Sequence, residues 1–113
     1  MKKQLKNRIK RKNAVQQALQ TQKEASVRGF DWNEPLEALE KVFEEAKEVK
    51  KALLKKRTQL GGRVGEEIGD LLFAVINVAR LAGVNPERCL SSTNKKFQKR
   101  FSGVLKIMKE KGL

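Results

Sequence analysis

The stretch from Glu66 to Ala82 does most to limit what this chain can fold into. From Ile68 onward it is apolar on nearly every side of a helix, yet Glu67 and Asp70 stand at its opening. Residues three and four apart share a helical face, so Glu67, Asp70, Ala74 and Asn77 form one narrow stripe. A helix that is apolar all round is a buried helix, which predicts that its few carboxylates are buried too. A buried carboxylate requires a partner, a metal or a raised pKa. That requirement makes Glu67 and Asp70 candidates for chemistry.

The rest of the chain is helical in pattern. Tyr is absent, β-branched residues are few, and no run alternates as a strand would. A first amphipathic helix, rich in Gln and Lys, is predicted from about Arg8 to Val27, stopping at Arg28-Gly29. Gly29-Phe30-Asp31-Trp32-Asn33 reads as a compact turn with two aromatic anchors, where Asn33 can cap the next helix ahead of Pro35. That second helix runs from about Glu34 to Arg57, with Leu36, Leu39, Val42, Phe43, Ala46, Val49 and Leu53 as its apolar face. Gln59-Leu60-Gly61-Gly62 lets the chain reverse. The third helix, about Arg63 to Ala82, stops at Gly83, a left-handed C-terminal cap. Asn85-Pro86-Glu87 opens a fourth, whose Leu90, Asn94, Phe97, Phe101, Val104 and Met108 recur at bundle-seam spacing.

Short connections between such helices favour antiparallel neighbours. The expected fold is therefore an all-α antiparallel bundle of about four helices. The third helix needs more apolar neighbours than one small chain supplies, so a homodimer or tetramer is expected to complete it. The domain reading is a basic N-terminal arm over residues 1–13 and one helical domain over 14–113.

Composition narrows the chemistry. The chain has no His and one Cys, Cys89, which excludes His-based acid–base catalysis, His-activated nucleophiles, intramolecular disulfides and multi-cysteine metal sites. No apolar run reaches the roughly 20 residues of a membrane span, and no hydrophobic signal core follows the basic start, so the expected location is the cytoplasm. The net charge is +13. It gathers in Lys2, Lys3, Lys6, Arg8, Lys10, Arg11 and Lys12, and again in Lys95, Lys96, Lys99, Arg100, Lys106, Lys109 and Lys111, whereas residues 31–48 are acidic. Such ends suit either a solvated surface or a sequence-independent grip on nucleic acid.

A second acidic cluster, Glu44-Glu45-Ala46-Lys47-Glu48, lies on the second helix. Taken alone it reads as surface charge on a Lys-rich helix. Antiparallel pairing can bring Glu45 and Glu48 opposite Glu67 and Asp70, and like charges 4 Å apart repel by about 4 kcal/mol at an effective dielectric near 20. Something must offset that repulsion. An all-oxygen donor set points to Mg²⁺, with Mn²⁺ as the alternative.

Gly29-Phe30-Asp31-Trp32, Glu44-Glu45-x-x-Glu48, Glu67-x-x-Asp70 running into Leu71-Leu72-Phe73, and Asn94-Lys95-Lys96-Phe97 with Arg100-Phe101 occur in that order. Together they resemble the MazG family of nucleoside triphosphate pyrophosphohydrolases, over about Glu24 to Phe101. The resemblance implies Mg²⁺-dependent cleavage of an NTP or dNTP to the monophosphate and pyrophosphate, clearing unwanted nucleotides from the pool. It implies Glu45, Glu48, Glu67 and Asp70 as metal ligands, with Lys96 and Arg100 holding phosphates beside Asn94. Glu44 or Glu48 would deprotonate the attacking water. Asn77 either meets sugar or base, or makes a helix–helix hydrogen bond. Phe30 and Trp32 either stack on a base or only anchor their turn. The alternatives in other classes are a basic helical nucleic-acid-binding module and a catalytically weak nucleotide-binding regulator.

Overall fold

A computed structural model describes residues 11–56 and 63–113. Among these residues are four α-helices: α1 (Ala14–Val27), α2 (Pro35–Lys56), α3 (Val64–Leu81) and α4 (Pro86–Glu110). No strand occurs among the described residues. The basic stretch 2–10, the expected helix start at Arg8, the end of the second helix at Arg57 and the Gln59-to-Gly62 reversal lie outside them.

Capping chemistry sets the boundaries. Arg11, Lys12 and Asn13 are not helical, and α1 opens at Asn13, later than the periodicity suggested. Asn13 Oδ1 accepts the Gln16 backbone N–H at 2.8 Å, and Gln16 Oε1 accepts that of Asn13 at 3.1 Å. This reciprocal box satisfies two otherwise orphaned donors. At the far end Gly29 adopts φ 89°. The Gly29 and Phe30 N–H groups then return to the carbonyls of Ser26 and Ala25, at 3.0 and 2.9 Å. That geometry closes the helix in a left-handed turn that a side chain resists.

One expected cap is displaced. Ala38 N–H bonds to the Glu34 carbonyl, so Glu34 holds the cap position of α2. Asn33 sits one residue earlier, with its backbone N–H donating to Glu37 Oε2 at 3.3 Å. The other two caps follow the sequence. Gly83 ends α3 with φ 76°, and Asn85 Oδ1 accepts the N–H groups of Glu87 and Arg88 ahead of Pro86 in the first turn of α4.

Helices α2 and α3 pair extensively and antiparallel, and α1 lies against α3. The pairing is close because small side chains meet there: Ala38, Ala52 and Ala74 are buried, together with Ile76. The polar Gln22 is also buried, and its Nε2 donates to the Phe73 carbonyl at 3.0 Å, fastening α1 to α3.

Within one chain, α3 is left partly uncovered. Ile68, Leu72, Phe73 and Val75 are each more than two-fifths exposed. Leu36, Phe43 and Leu53 of the α2 face are likewise open. Helix α4 meets α3 only marginally and buries no residue. Its seam is intact as a pattern, with the Phe97 and Phe101 rings stacked at a centroid distance of 6.1 Å. Among the described residues it packs extensively against no other helix of the same chain. No helix among the described residues is long and apolar enough to cross a membrane.

Candidate active site

Because α2 and α3 approach through alanines, the side chains flanking that seam are brought close. Glu45 of α2 and Glu67 and Asp70 of α3 each place one carboxylate oxygen within 4.8 Å of the other two. Glu45 is the most covered, with a side chain 13% exposed. Glu67 is half-buried, and Asp70 is open to solvent. The burial expected for the α3 acids is therefore partial, because the single chain leaves that side of α3 uncovered.

Charge crowding has a measurable consequence. Burial at the helix pair, then the like charges of Asp70, Glu48 and Glu45, push the Glu67 carboxyl above its ordinary pKa, with Arg63 working the other way. A hard cation relieves that repulsion. Oxygens on opposite sides of a Mg²⁺ ion stand about 4.2 Å apart at its usual 2.1 Å bond length. The three oxygens are thus within a small adjustment of one coordination shell, and an all-carboxylate set suits Mg²⁺ or Mn²⁺ over softer metals.

The other carboxylates are placed differently. Glu48 stands one turn from Glu45, outside the converging trio, and pairs with Lys51 at 3.4 Å. Its charge is still felt by Glu67, whereas that of Glu44 is not among the influences. Glu44 faces outward and pairs with Lys41 Nζ at 3.5 Å. The same ammonium lies 3.2 Å from Glu45 Oε1, and both acids raise the Lys41 pKa, Glu45 foremost. Lys41 is a site residue that motif reasoning passed over, although its four-residue spacing from Glu45 is an ordinary helical pairing.

One cavity adjoins the carboxylates, and a second adjoins the first. The first, of about 410 Å³, is lined by Glu45, Asp70, Lys41, Ala74 and also Trp32, Phe73 and Asn77. The other, of about 490 Å³, shares those last three residues and extends past Phe30 to Gln22 and Arg80. Trp32 and Asn77 thus stand where the two cavities meet. Phe30 is not a core anchor: 77% of its surface is exposed.

Arg80 knits this region together. Its Nη1 and Nη2 donate to the two carboxylate oxygens of Asp31 at 2.9 and 2.7 Å, a two-pronged pair joining the α1–α2 turn to α3. Nη2 also donates to Asn77 Oδ1 at 3.0 Å, and Nε donates to Gln22 Oε1 at 3.3 Å. Asp31 in turn accepts the Trp32 backbone N–H at 2.8 Å. The guanidinium holds the Asp31 carboxyl well below the usual carboxylate range. Arg80 continues the Glu67–Asp70–Ala74–Asn77 stripe by one turn, and a cation on an apolar helix was the signal available in the sequence.

Asn94, Lys96 and Arg100 are exposed along α4. They line neither cavity, and none forms an ion pair or side-chain hydrogen bond with a described residue. One chain does not bring them to the carboxylates.

Comparison with known proteins places the chain in a family. Residues 33–105 match the MazG nucleotide pyrophosphohydrolase domain. The nucleoside triphosphate pyrophosphohydrolase/pyrophosphatase MazG of Thermotoga maritima is 37% identical over 100 residues, covering 88% of this chain and 37% of that protein. The nucleoside triphosphate pyrophosphohydrolase of Escherichia coli K12 is 36% identical over 104 residues, with 88% and 38% covered. The chain thus spans under two-fifths of the length of these curated relatives. A Bacillus subtilis protein, YabN, is 49% identical over 47 residues, 42% of this chain and 10% of its own length. With the match covering both acidic helices and the α4 seam, the chain belongs to the MazG nucleotide pyrophosphohydrolase domain family.

Proposed function

We propose that this domain hydrolyses nucleoside triphosphates, NTP or dNTP, to the monophosphate and pyrophosphate. The observation that carries the reading is the convergence of Glu45, Glu67 and Asp70 to within 4.8 Å, beside a cavity, in a chain whose relatives bear that name. Glu45, Glu67 and Asp70 would hold Mg²⁺, or Mn²⁺ in its place, with Glu48 one turn away to complete the set. The ion, when bound, supplies charge neutralisation for the phosphate oxygens.

The protein groups have distinct tasks. Water adds across the α–β phosphoanhydride: its oxygen joins phosphorus, the bridging P–O bond breaks, and its proton goes to a carboxylate. Between the two candidates, Glu48 suits that role better than Glu44. Its charge is coupled to Glu67, while Glu44 is turned outward onto Lys41. Lys41 neutralises Glu45 and is placed to meet phosphate oxygens once the substrate arrives.

Lys96 and Arg100, with Asn94 beside them, are assigned to the phosphates from the α4 helix of a second copy. Phe97, Phe101 and their apolar neighbours on α4 are two-fifths exposed or more. At the size of such side chains they offer on the order of 600 Å² per chain. Added to the open faces of α2 and α3, that reaches the roughly 800 Å² per partner of a standard interface.

Pyrophosphate release from a panel of NTPs and dNTPs, with and without Mg²⁺, tests the activity. The wild type should release pyrophosphate only with the divalent ion, and Asp70→Ala and Glu48→Ala should fall toward background. No release from any nucleotide, or variants equal to wild type, would overturn the reading.

A further inference from the structure

We propose that Arg80 is a positioning residue for the nucleoside half of the substrate, holding Asn77 and Trp32 on the wall of the cavity that they share. This rests on the reading of the carboxylate trio as the phosphate end of a nucleotide site. The geometry of the shared wall carries it.

A guanidinium is a donor only. The Asn77 atom facing Arg80 Nη2 at 3.0 Å must therefore be the amide oxygen. That contact fixes the amide orientation and leaves Nδ2, with both its hydrogens, without a partner among the described residues. Asn77 lines both cavities. Its free donor is thus held at the boundary, where a ligand reaching from the carboxylates would present acceptor oxygens of its sugar or base.

The second arm of Arg80 acts on Trp32. Asp31 accepts two hydrogen bonds from Arg80 and one from the Trp32 N–H. The indole backbone is tied through that carboxylate to α3, 49 residues away in sequence. The residue remains 39% exposed, leaving part of its surface available for base stacking. Gln22 completes the frame: its Oε1 accepts from Arg80 Nε, and its Nε2 donates to the Phe73 carbonyl. One guanidinium thereby sets a hydrogen-bond donor and an aromatic surface on the same wall.

The cavity volume is in keeping with its task. At about 490 Å³ it lies within the roughly 300–1,000 Å³ of small-molecule sites. Its lining is largely apolar, with Phe30, Phe73 and Ala25 among its walls.

The chain carries one tryptophan, so the fluorescence of Trp32 reports on this wall independently of turnover. The full chain is titrated with the monophosphates of adenosine, guanosine, cytidine and uridine and their deoxy counterparts. Two variants are compared with wild type. Asn77→Asp keeps an oxygen toward Arg80 and removes the free donor; Arg80→Lys keeps the charge and loses the fork. Circular dichroism establishes that each is folded at the assay temperature.

At least one monophosphate should change wild-type emission. Both variants should weaken its apparent affinity about tenfold, and in pyrophosphate release they should raise KM more than they lower kcat. A purely structural Arg80 would lower the melting temperature and leave affinity in the folded protein unchanged, which would overturn the proposal. Emission unaffected by every monophosphate, in a wild type that releases pyrophosphate, would overturn it as well. If Arg80→Lys does not fold, Asn77→Asp decides the matter. If the wild type releases no pyrophosphate, the activity fails as a reading, and the monophosphate titration still decides this proposal.

Discussion

Replacing Arg80 by Ala should cost stability by an amount that the surrounding hydrogen bonds define. The side chains of Arg80 and Asp31 are 11% and 16% exposed, and their two-pronged contact is at 2.7 and 2.9 Å. Hydrogen bonds to charged groups contribute about 1.5–3 kcal/mol. The open edge of this pair places it at the lower end, near 2 kcal/mol. Removal of the guanidinium also leaves Gln22 Oε1 without its donor in a residue only 4% exposed, adding about 1 kcal/mol. Asn77 lines open cavities, so water replaces its lost partner at little cost. The sum is about 3 kcal/mol, or roughly 12 °C in melting temperature at about 4 °C per kcal/mol for a domain of this size.

Thermal melts by circular dichroism at neutral pH measure that difference, and acid titration tests its origin. Arg80 lowers the Asp31 pKa in the folded protein from an ordinary 3.8. Stability from a depressed carboxyl is complete above its unfolded pKa and disappears as pH falls through the folded one. The gap between wild type and Arg80→Ala should therefore be constant from neutral pH to about 4 and shrink in stronger acid. A double-mutant cycle with Asp31→Ala should show a coupling above about 1 kcal/mol. A melting temperature within about 4 °C of wild type, or a gap independent of acid, would refute the argument.

Three other perturbations have definite signs. The Glu67 carboxyl is raised above its ordinary 4.5, so its ionised form opposes folding, a penalty that sets in above that pH and is complete beyond the folded pKa. Glu67→Gln should melt higher than wild type at pH 7 without divalent ions and lose the Mg²⁺-induced rise; a lower melting temperature would contradict the crowding argument. Ala74 is 4% exposed at the α2–α3 crossing, so Ala74→Leu should cost about 1–3 kcal/mol in urea unfolding and weaken the Mg²⁺ response by separating Glu45 from Asp70. Phe101→Asp should convert a self-associated wild type to monomer in sedimentation velocity and abolish pyrophosphate release; a wild type that is monomeric at tens of micromolar would remove the proposed second copy.

Several sequence expectations failed for instructive reasons. The α3 stripe placed Glu67 and Asp70 correctly on one face, but their burial was overstated. An all-round apolar helix signals how much cover it needs, not which chain supplies it. The seam of α4 was legible from its spacing, yet in one chain α4 meets α3 only marginally and buries no residue. Lys96 and Arg100 therefore lie on α4 away from the cavity beside the carboxylates of the same chain. Lys41 was passed over because a Lys four residues before a Glu is so ordinary on an exposed helix.

What the sequence determined by itself was local. The helices, their caps at Asn13 and Asn85, and the left-handed stops at Gly29 and Gly83 all follow from residues within one or two turns of each other. So does the stripe that aligns Glu67 with Asp70. Only the tertiary structure decided that alanines at one seam draw Glu45 against them. It alone joined Arg80 to Asp31 and turned the Asn77 amide. The physical reason is range: backbone hydrogen bonding and side-chain periodicity act within a turn, while the approach of two helices depends on how their whole surfaces interlock.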